Sequence, residues 1–275
     1  MIPFYPNQIP VSLDLQGSVK AIIQKSKTSI SAFAFSIIYL FRKKYSFKVS
    51  ILEGSLLITG EDKGKTFFSI FGSLPQEKIL TELLEKYDYW KGIPEATIPG
   101  AIEDRNNFEY LYLRTDLSEL PGKSFQKKRN LVNAFIKANP QRETKILDKN
   151  TLPDAMRVLN EWGNHGDYDS AKEGLELHEA LELSGLIFYV GGIPVGYCQG
   201  EALPDGKSFA VHFEKALDQY KGVYQYINQE FAKSVPENII YINREQDLGD
   251  EGLRQAKLTY RPVDFVKLFS MSAKV

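Results

Sequence analysis

Leu186-Ile187-Phe188-Tyr189-Val190-Gly191-Gly192-Ile193-Pro194-Val195-Gly196-Tyr197-Cys198-Gln199-Gly200-Glu201 is the stretch from which the fold is read. Leu186–Val190 and Pro194–Glu201 are apolar, aromatic-rich runs of strand length, and Gly191-Gly192 between them is a hairpin turn. A second turn, Pro204-Asp205-Gly206, leads into a third strand, Phe209–Phe213. Three helices are expected ahead of this meander, over Ser124–Ala138, Thr151–Asn164 and Leu175–Leu183, the first stopped by Asn139-Pro140. Behind it come a helix over Gly222–Lys233, a strand over Asn238–Asn243, a helix over Asp250–Leu258 and a closing strand over Val263–Phe269. The first half carries a shorter version of the same order. Helices are expected over Val19–Lys25 and Ser29–Lys44, then strands over Phe47–Leu52, Ser55–Thr59 and Thr66–Ile70. Pro75 opens a helix over Gln76–Tyr87, and Tyr110–Arg114 is a further strand. This predicts an α+β protein of two units, each a mixed, mostly antiparallel sheet flanked by helices. The join falls near Leu117–Gly122, so residues 1–117 form a degenerate first unit and 118–275 the unit carrying the site.

Composition excludes several classes. With 43% hydrophobic and 25% charged residues the 275-residue chain can bury a core, so disorder is not its default. Lys+Arg 34 against Asp+Glu 35 argues against a protein coated with nucleic acid, while leaving room for one basic patch. The single cysteine, Cys198, permits no internal disulfide and reads as a buried thiol, which fits the cytoplasm. Three histidines and one cysteine offer no zinc spacing, so no metal is expected. Ile30–Phe41 is too short to span a bilayer, which needs about 20 residues. Any meeting with a membrane would be peripheral.

Several stretches together resemble the phosphatidylglycerol lysyltransferase C-terminal domain family. They are Tyr110-Leu111-Tyr112, Leu120-Pro121-Gly122-Lys123, Lys127-Lys128-Arg129-Asn130, His212-Phe213-Glu214-Lys215-Ala216 and Tyr224–Phe231. The longest is Tyr241-Ile242-Asn243-Arg244-Glu245-Gln246-Asp247-Leu248-Gly249, followed by Gly252–Leu258. The resemblance implies tandem GNAT-like units, which agrees with the element order. It also implies transfer of an aminoacyl group from aminoacyl-tRNA to an amine or hydroxyl acceptor such as a lipid head group. No tightly bound cofactor is implied. Two other readings stand open: a coenzyme A-dependent N-acyltransferase, and a non-catalytic module that binds tRNA or another anion.

Candidate residues follow from charge and position. Between Pro121 and Arg142 lie six basic residues and no acidic one, among them Lys123 just before a helix and Lys127, Lys128 and Arg129 at its start, where the dipole disfavours cations. Phosphates of tRNA or coenzyme A would relieve that arrangement, and so would pairing with Glu103, Asp104 or Glu109. In a GNAT fold the stretch Gln219-Tyr220-Lys221-Gly222-Val223-Tyr224 is the pyrophosphate loop. Lys221 there suits a phosphate, but Tyr224 stands where a small residue is usual, which disfavours acetyl-coenzyme A as donor. The place of the usual general-acid tyrosine falls on Gln255, which carries no titrating proton. The Asn238–Asn243 strand should diverge from Phe209–Phe213 and leave a cleft. Alternation puts Asn243, Glu245 and Asp247 on one face and Arg244 and Gln246 on the other. Glu245 or Asp247 then suits an α-ammonium, or Asp247 makes an ion pair with Arg244 instead. His212 and Glu214 should share a face, with Glu214 either a general base or, with Lys215, part of a buried polar network with Arg254 and Glu245. Tyr224, Asn228, Arg254 and Lys257 complete the expected substrate-binding set, Arg254 and Lys257 as phosphate ligands or as a solvated helix face.

Overall fold

The computed structural model describes residues 1–94 and 98–272. Strand β1 (Ile9–Pro10) and helices α1 (Gln16–Ser26) and α2 (Phe35–Leu40) precede a meander of β2 (Lys48–Leu52), β3 (Ser55–Asp62) and β4 (Lys65–Phe71). Helix α3 (Glu77–Lys86) follows, then β5 (Tyr89–Ile93), β6 (Ile102–Glu103), β7 (Glu109–Leu113), α4 (Arg114–Glu119) and α5 (Gln126–Ala138). The second half runs β8 (Arg142–Ile146), α6 (Leu152–Trp162), α7 (Tyr168–Glu176), β9 (Ser184–Val190), β10 (Ile193–Ala202), β11 (Ser208–Ala216) and α8 (Val223–Ser234). It closes with β12 (Tyr241–Asn243), α9 (Glu251–Leu258), β13 (Asp264–Val266) and β14 (Phe269–Ser272).

Two seven-stranded sheets result, ordered β1-β2-β3-β4-β5-β14-β6 and β13-β7-β12-β11-β10-β9-β8. Each holds one parallel pair, β4 with β5 and β11 with β12, and is otherwise antiparallel. The α+β expectation of mixed sheets flanked by helices is met. The sheets do not divide at residue 117, however. β7 pairs with β12 and β13 of the second sheet, and β14 with β5 and β6 of the first. The expected closing strand Val263–Phe269 is thus two short strands, one in each sheet. The halves also share a core, in which Val19, Ile23, Phe35 and Ile38 of the N-terminal helices are buried with Val158, Leu175, Tyr197 and Phe213. On the opposite face of the second sheet, Phe135 of α5 and Ile227 of α8 cluster with Phe188, Val195 and Ile242.

The helix expected over Ser29–Lys44 is broken. Ser31–Phe33 is a short 3-10 turn and Ala34 is extended, with φ −63° and ψ 137°. The reason is a competing acceptor. The N–H groups of Ser31 and Ala32 donate to the buried carboxylate of Glu109, at 2.8 and 3.1 Å.

Candidate active site

Strands β11 and β12 pair in parallel over only three residues, Ser208↔Tyr241, Phe209↔Ile242 and Ala210↔Asn243. β12 then ends, while β11 continues to Ala216 with no strand on that edge. The first sheet opens the same way, with β4 and β5 paired only at Phe67↔Tyr89 and Phe68↔Trp90. There, however, Ser69 Oγ donates to the Lys91 carbonyl at 2.7 Å and closes the gap. A cavity of about 900 Å³ lies where the two openings face each other. Its walls include Phe67, Phe71 and Lys91 from the first sheet, and His212, Glu214, Arg244 and Glu245 from the second.

β11 carries a bulge at His212. Gln199 faces Phe213 and Gly200 faces Val211, so His212 is the extra residue. The bulge needs glycine on the partner strand, since a Cβ at Gly200 would collide with the Ala210 carbonyl. His212 and Glu214 therefore do not share a face, contrary to simple alternation. His212 lies beside Ser36 of α2, at 3.3 Å from Oγ to Nε2, whereas Glu214 accepts from Asn228 of α8 at 3.5 Å and from Arg244 at 3.2 Å. The His212 ring is held between two carboxylates, Nδ1 at 2.7 Å from Glu245 and Nε2 at 3.2 Å from Glu201. Burial alone would lower its pKa, but the Glu201 and Glu245 carboxylates outweigh burial and push it up to about 10. His212 is thus a standing imidazolium. Ser36, which donates to Glu201, completes the cluster.

Past Asn243 the alternation fails because Glu245 adopts a left-handed conformation, φ +58°. The turn is fixed by Lys257, whose Nζ donates to the carbonyls of Arg244, Glu245 and Gln246 at 2.6, 3.1 and 2.5 Å. Burial, with help from Arg244, pushes the Lys257 pKa down to about 8. Side chains now fan out in four directions. Asn243 and Gln246 donate to Glu109, Arg244 turns to Glu214, and Glu245 turns to His212. Asp247 is fully buried beneath Arg254, Arg105 and the Tyr110 hydroxyl at 2.6–3.0 Å. Its carboxyl lies far below the usual range because these donors, Arg254 foremost, outweigh burial. Asp247 therefore has no capacity left for an ammonium, and its ion-pair partners are Arg254 and Arg105 rather than Arg244. Arg254 is committed to Asp247 and Asn106, and Lys257 to backbone, so neither is placed as a phosphate ligand.

The basic stretch does not act as one patch. Lys123, Lys127 and Lys221 are exposed, and Arg129 donates to the carbonyls of Leu120 and Gly122. Only Lys128 of the stretch reaches the cavity, its Nζ 3.8 Å from the centre of the Tyr260 ring. Arg244 lies over the same ring at 5.0 Å. Burial, reinforced by Arg244, pushes the Lys128 pKa down to about 8. The acids named as pairing partners are engaged elsewhere: Glu103 with Lys267, Asp104 with Asn107 and Glu109 in the core.

At the loop before α8, Gly222 has φ +88°, and a Cβ there would collide with the Leu131 carbonyl. Tyr224 lines the cavity, and its hydroxyl donates to the Ala216 carbonyl at 3.1 Å and accepts the Ala216 N–H at 3.3 Å. Gln255 is exposed and bonds Glu251, while the buried tyrosine beyond that helix is Tyr260. Asn228 is buried, and its Oδ1 has no partner among the described residues. Cys198 is a buried free thiol whose pKa burial pushes well up. Sequence reasoning missed Ser36, Glu201 and the central role of Glu109. A lone carboxylate at the edge of an apolar strand run was the available signal for both acids.

The chain matches the family described as phosphatidylglycerol lysyltransferase, C-terminal, over residues 23–271. It belongs to that family. A conserved protein of unknown function from Bacteroides thetaiotaomicron VPI-5482 is 31% identical, with TM-score 0.86 over 98% of this chain and 99% of that one. L-PGS from Bacillus licheniformis shares the fold at 12% identity, TM-score 0.66, over 100% of this chain and 95% of that one. An uncharacterized protein of Mycoplasmoides gallisepticum is 29% identical over 178 residues, 61% of this chain. That match spans 56% of the curated relative's length. Among the described residues, no helix of this phosphatidylglycerol lysyltransferase-family domain is long and apolar enough to cross a membrane.

Proposed function

We propose that the chain is an aminoacyltransferase that moves an activated aminoacyl group, carried by aminoacyl-tRNA, onto an amine or hydroxyl acceptor in the cavity. The acceptor is a small amine or a lipid head group. The observation that carries this reading is the opening of β11 from β12 onto a cavity lined by Glu214, Arg244 and Glu245. The free edge of β11 offers backbone N–H groups to a developing oxyanion, and the transfer needs positioning rather than a covalent nucleophile. Glu245 suits the α-ammonium of the donor, because its first oxygen is held by His212 while its second has no partner among the described residues. Glu214, which faces the same cavity, is assigned the acceptor's proton in this reading.

The test is single-turnover transfer of labelled amino acid from aminoacyl-tRNA to hydroxylamine and to lipid head groups, in native protein and in Glu245→Gln. Native protein should transfer. Glu245→Gln should be slower by roughly 10–100-fold, the worth of one charge-assisted hydrogen bond, with its circular dichroism unchanged. Equal rates in the two proteins would remove Glu245 from the reading, and no transfer by native protein with any charged tRNA would remove the reading itself.

Coenzyme A should bind poorly, because the Tyr224 ring is fastened to Ala216 at the start of the loop that would hold its phosphates. Losing two charge-assisted hydrogen bonds, at ~1.5–3 kcal/mol each, weakens binding by orders of magnitude. Calorimetry of native protein should detect no micromolar affinity, and Tyr224→Gly should gain affinity. Tight binding to native protein would restore the coenzyme A reading.

A further inference from the structure

Each carboxylate that reaches the cavity already has a partner, Glu245 through one oxygen only. Asp167 holds Lys215 at 2.5 Å, Glu214 holds Arg244 at 3.2 Å and Glu245 holds His212 at 2.7 Å. Asp250, at the exposed rim, accepts the N–H of Leu253 at 2.7 Å as the cap of α9. The cations are not matched in the same way. Lys128 has no carboxylate partner among the described residues, and neither has Lys44 at the mouth; both rest on aromatic rings. At Tyr260 two cations, Lys128 and Arg244, lie against one ring, with Glu214 as the one carboxylate paired to either among the described residues. Packing does not require that excess, since an ammonium gains more from an anion than from a ring face. A guest that brings its own negative charge completes the set, while a guest with an extra ammonium meets uncompensated like charge.

We infer that the substrate group docking beside Lys128 and Arg244 is anionic, a carboxylate or a phosphate monoester, and that this cavity discriminates against a lysyl group. The inference rests on the transfer reading above for the identity of the guest, but its charge follows from the pairing of the cavity's own residues. The anion has two possible sources, an acidic side chain on the donor's amino acid or an acidic group on the acceptor. Lys128 is the specificity-determining residue in either case.

The full chain is titrated calorimetrically with non-hydrolysable glutamyl-, alanyl- and lysyl-adenosine amides and with glycerol 3-phosphate. The titrations are repeated with Lys128→Met and Lys128→Glu. If the donor carries the anion, the glutamyl amide binds native protein about tenfold tighter than the alanyl amide, Lys128→Met abolishes the difference, and Lys128→Glu favours the lysyl amide. If the acceptor carries it, glycerol 3-phosphate binds native protein and loses about tenfold with Lys128→Met, with the three amides alike. Binding of glycerol 3-phosphate with no binding of any amide would keep this inference and overturn the aminoacyl donor. A lysyl amide that binds native protein tightest, or affinities that Lys128→Glu leaves untouched, would overturn the inference while the transfer reading stands. Absence of binding by every probe would overturn both.

Discussion

Glu109→Ala should destabilise the protein by about 3–5 kcal/mol, the cost of several buried donors losing their acceptor and a large share of the stability of an ordinary domain. Glu109 is fully buried, and its two oxygens accept from Ser31 N, Ser31 Oγ, Ala32 N, Asn243 Nδ2 and Gln246 Nε2. Burial raises its pKa, and the donor groups of Ser31, Asn243 and Ala32 pull the other way. Alanine would strand these donors away from water, and each stranded donor costs ~1–3 kcal/mol before the structure relaxes. The damage reaches function as well, because the same carboxylate joins the turn before α2 to the end of β12. Chemical denaturation of native and variant protein measures the loss. Glu109→Gln is the companion variant: it keeps the shape but turns an amide N–H2 toward groups that also donate, so a clear loss is expected there too. A change below about 1 kcal/mol for Glu109→Ala would show that the carboxylate does not anchor the two halves.

Glu109 also marks the limit of what local pattern reveals. The meander β9-β10-β11 was legible, because apolar strand runs and the Gly191-Gly192 and Pro204-Asp205-Gly206 turns are local signals. The helices α3, α5, α6, α8 and α9 were legible for the same kind of reason. Strand β8, Arg142-Glu143-Thr144-Lys145-Ile146, was not: it is an edge strand with mostly polar side chains and no alternation to read. Helix α7 covers Tyr168–Glu176, whereas Leu181 and Leu183, read as part of a helix over Leu175–Leu183, are buried in the turns behind it. The exchange of β7 and β14 between sheets left no trace in sequence order, since pairing between distant segments is settled by the whole core. At the site, the composition of Asn243–Asp247 pointed to the right segment. The directions of its side chains depended on a left-handed Glu245 and on three carbonyls gathered by Lys257, and neither can be derived from a period of two. The basic run at Lys127-Lys128-Arg129 failed as a single patch for a simpler reason. Consecutive helical residues point about 100° apart, so one reaches the cavity, one faces water and one folds back on the preceding loop.

Replacing His212 should cost stability in a way that depends on pH. His212→Gln leaves Glu201 and Glu245 facing each other without the cation between them, and a loss of about 3–5 kcal/mol is expected near neutral pH. Because the folded-state pKa is raised to about 10, the native protein holds a proton that the unfolded chain releases near 6.5. The contribution of the imidazolium is therefore fully present below pH 6.5 and disappears as pH rises through about 10. Lys128 and Lys257 work in the opposite sense. Their pKa values are lowered to about 8, so between that pH and the ordinary lysine range the unfolded chain binds more protons and stability rises with pH. Both lysines remain in the His212→Gln variant, so their contribution cancels in the difference, which reports His212 together with the two carboxylates it holds. Unfolding free energies measured at pH 6, 8 and 10 should show the native advantage largest at pH 6 and shrinking toward pH 10. A difference that stays constant across that range would mean that His212 is neutral in the folded protein and that the two carboxylates do not hold a proton on it.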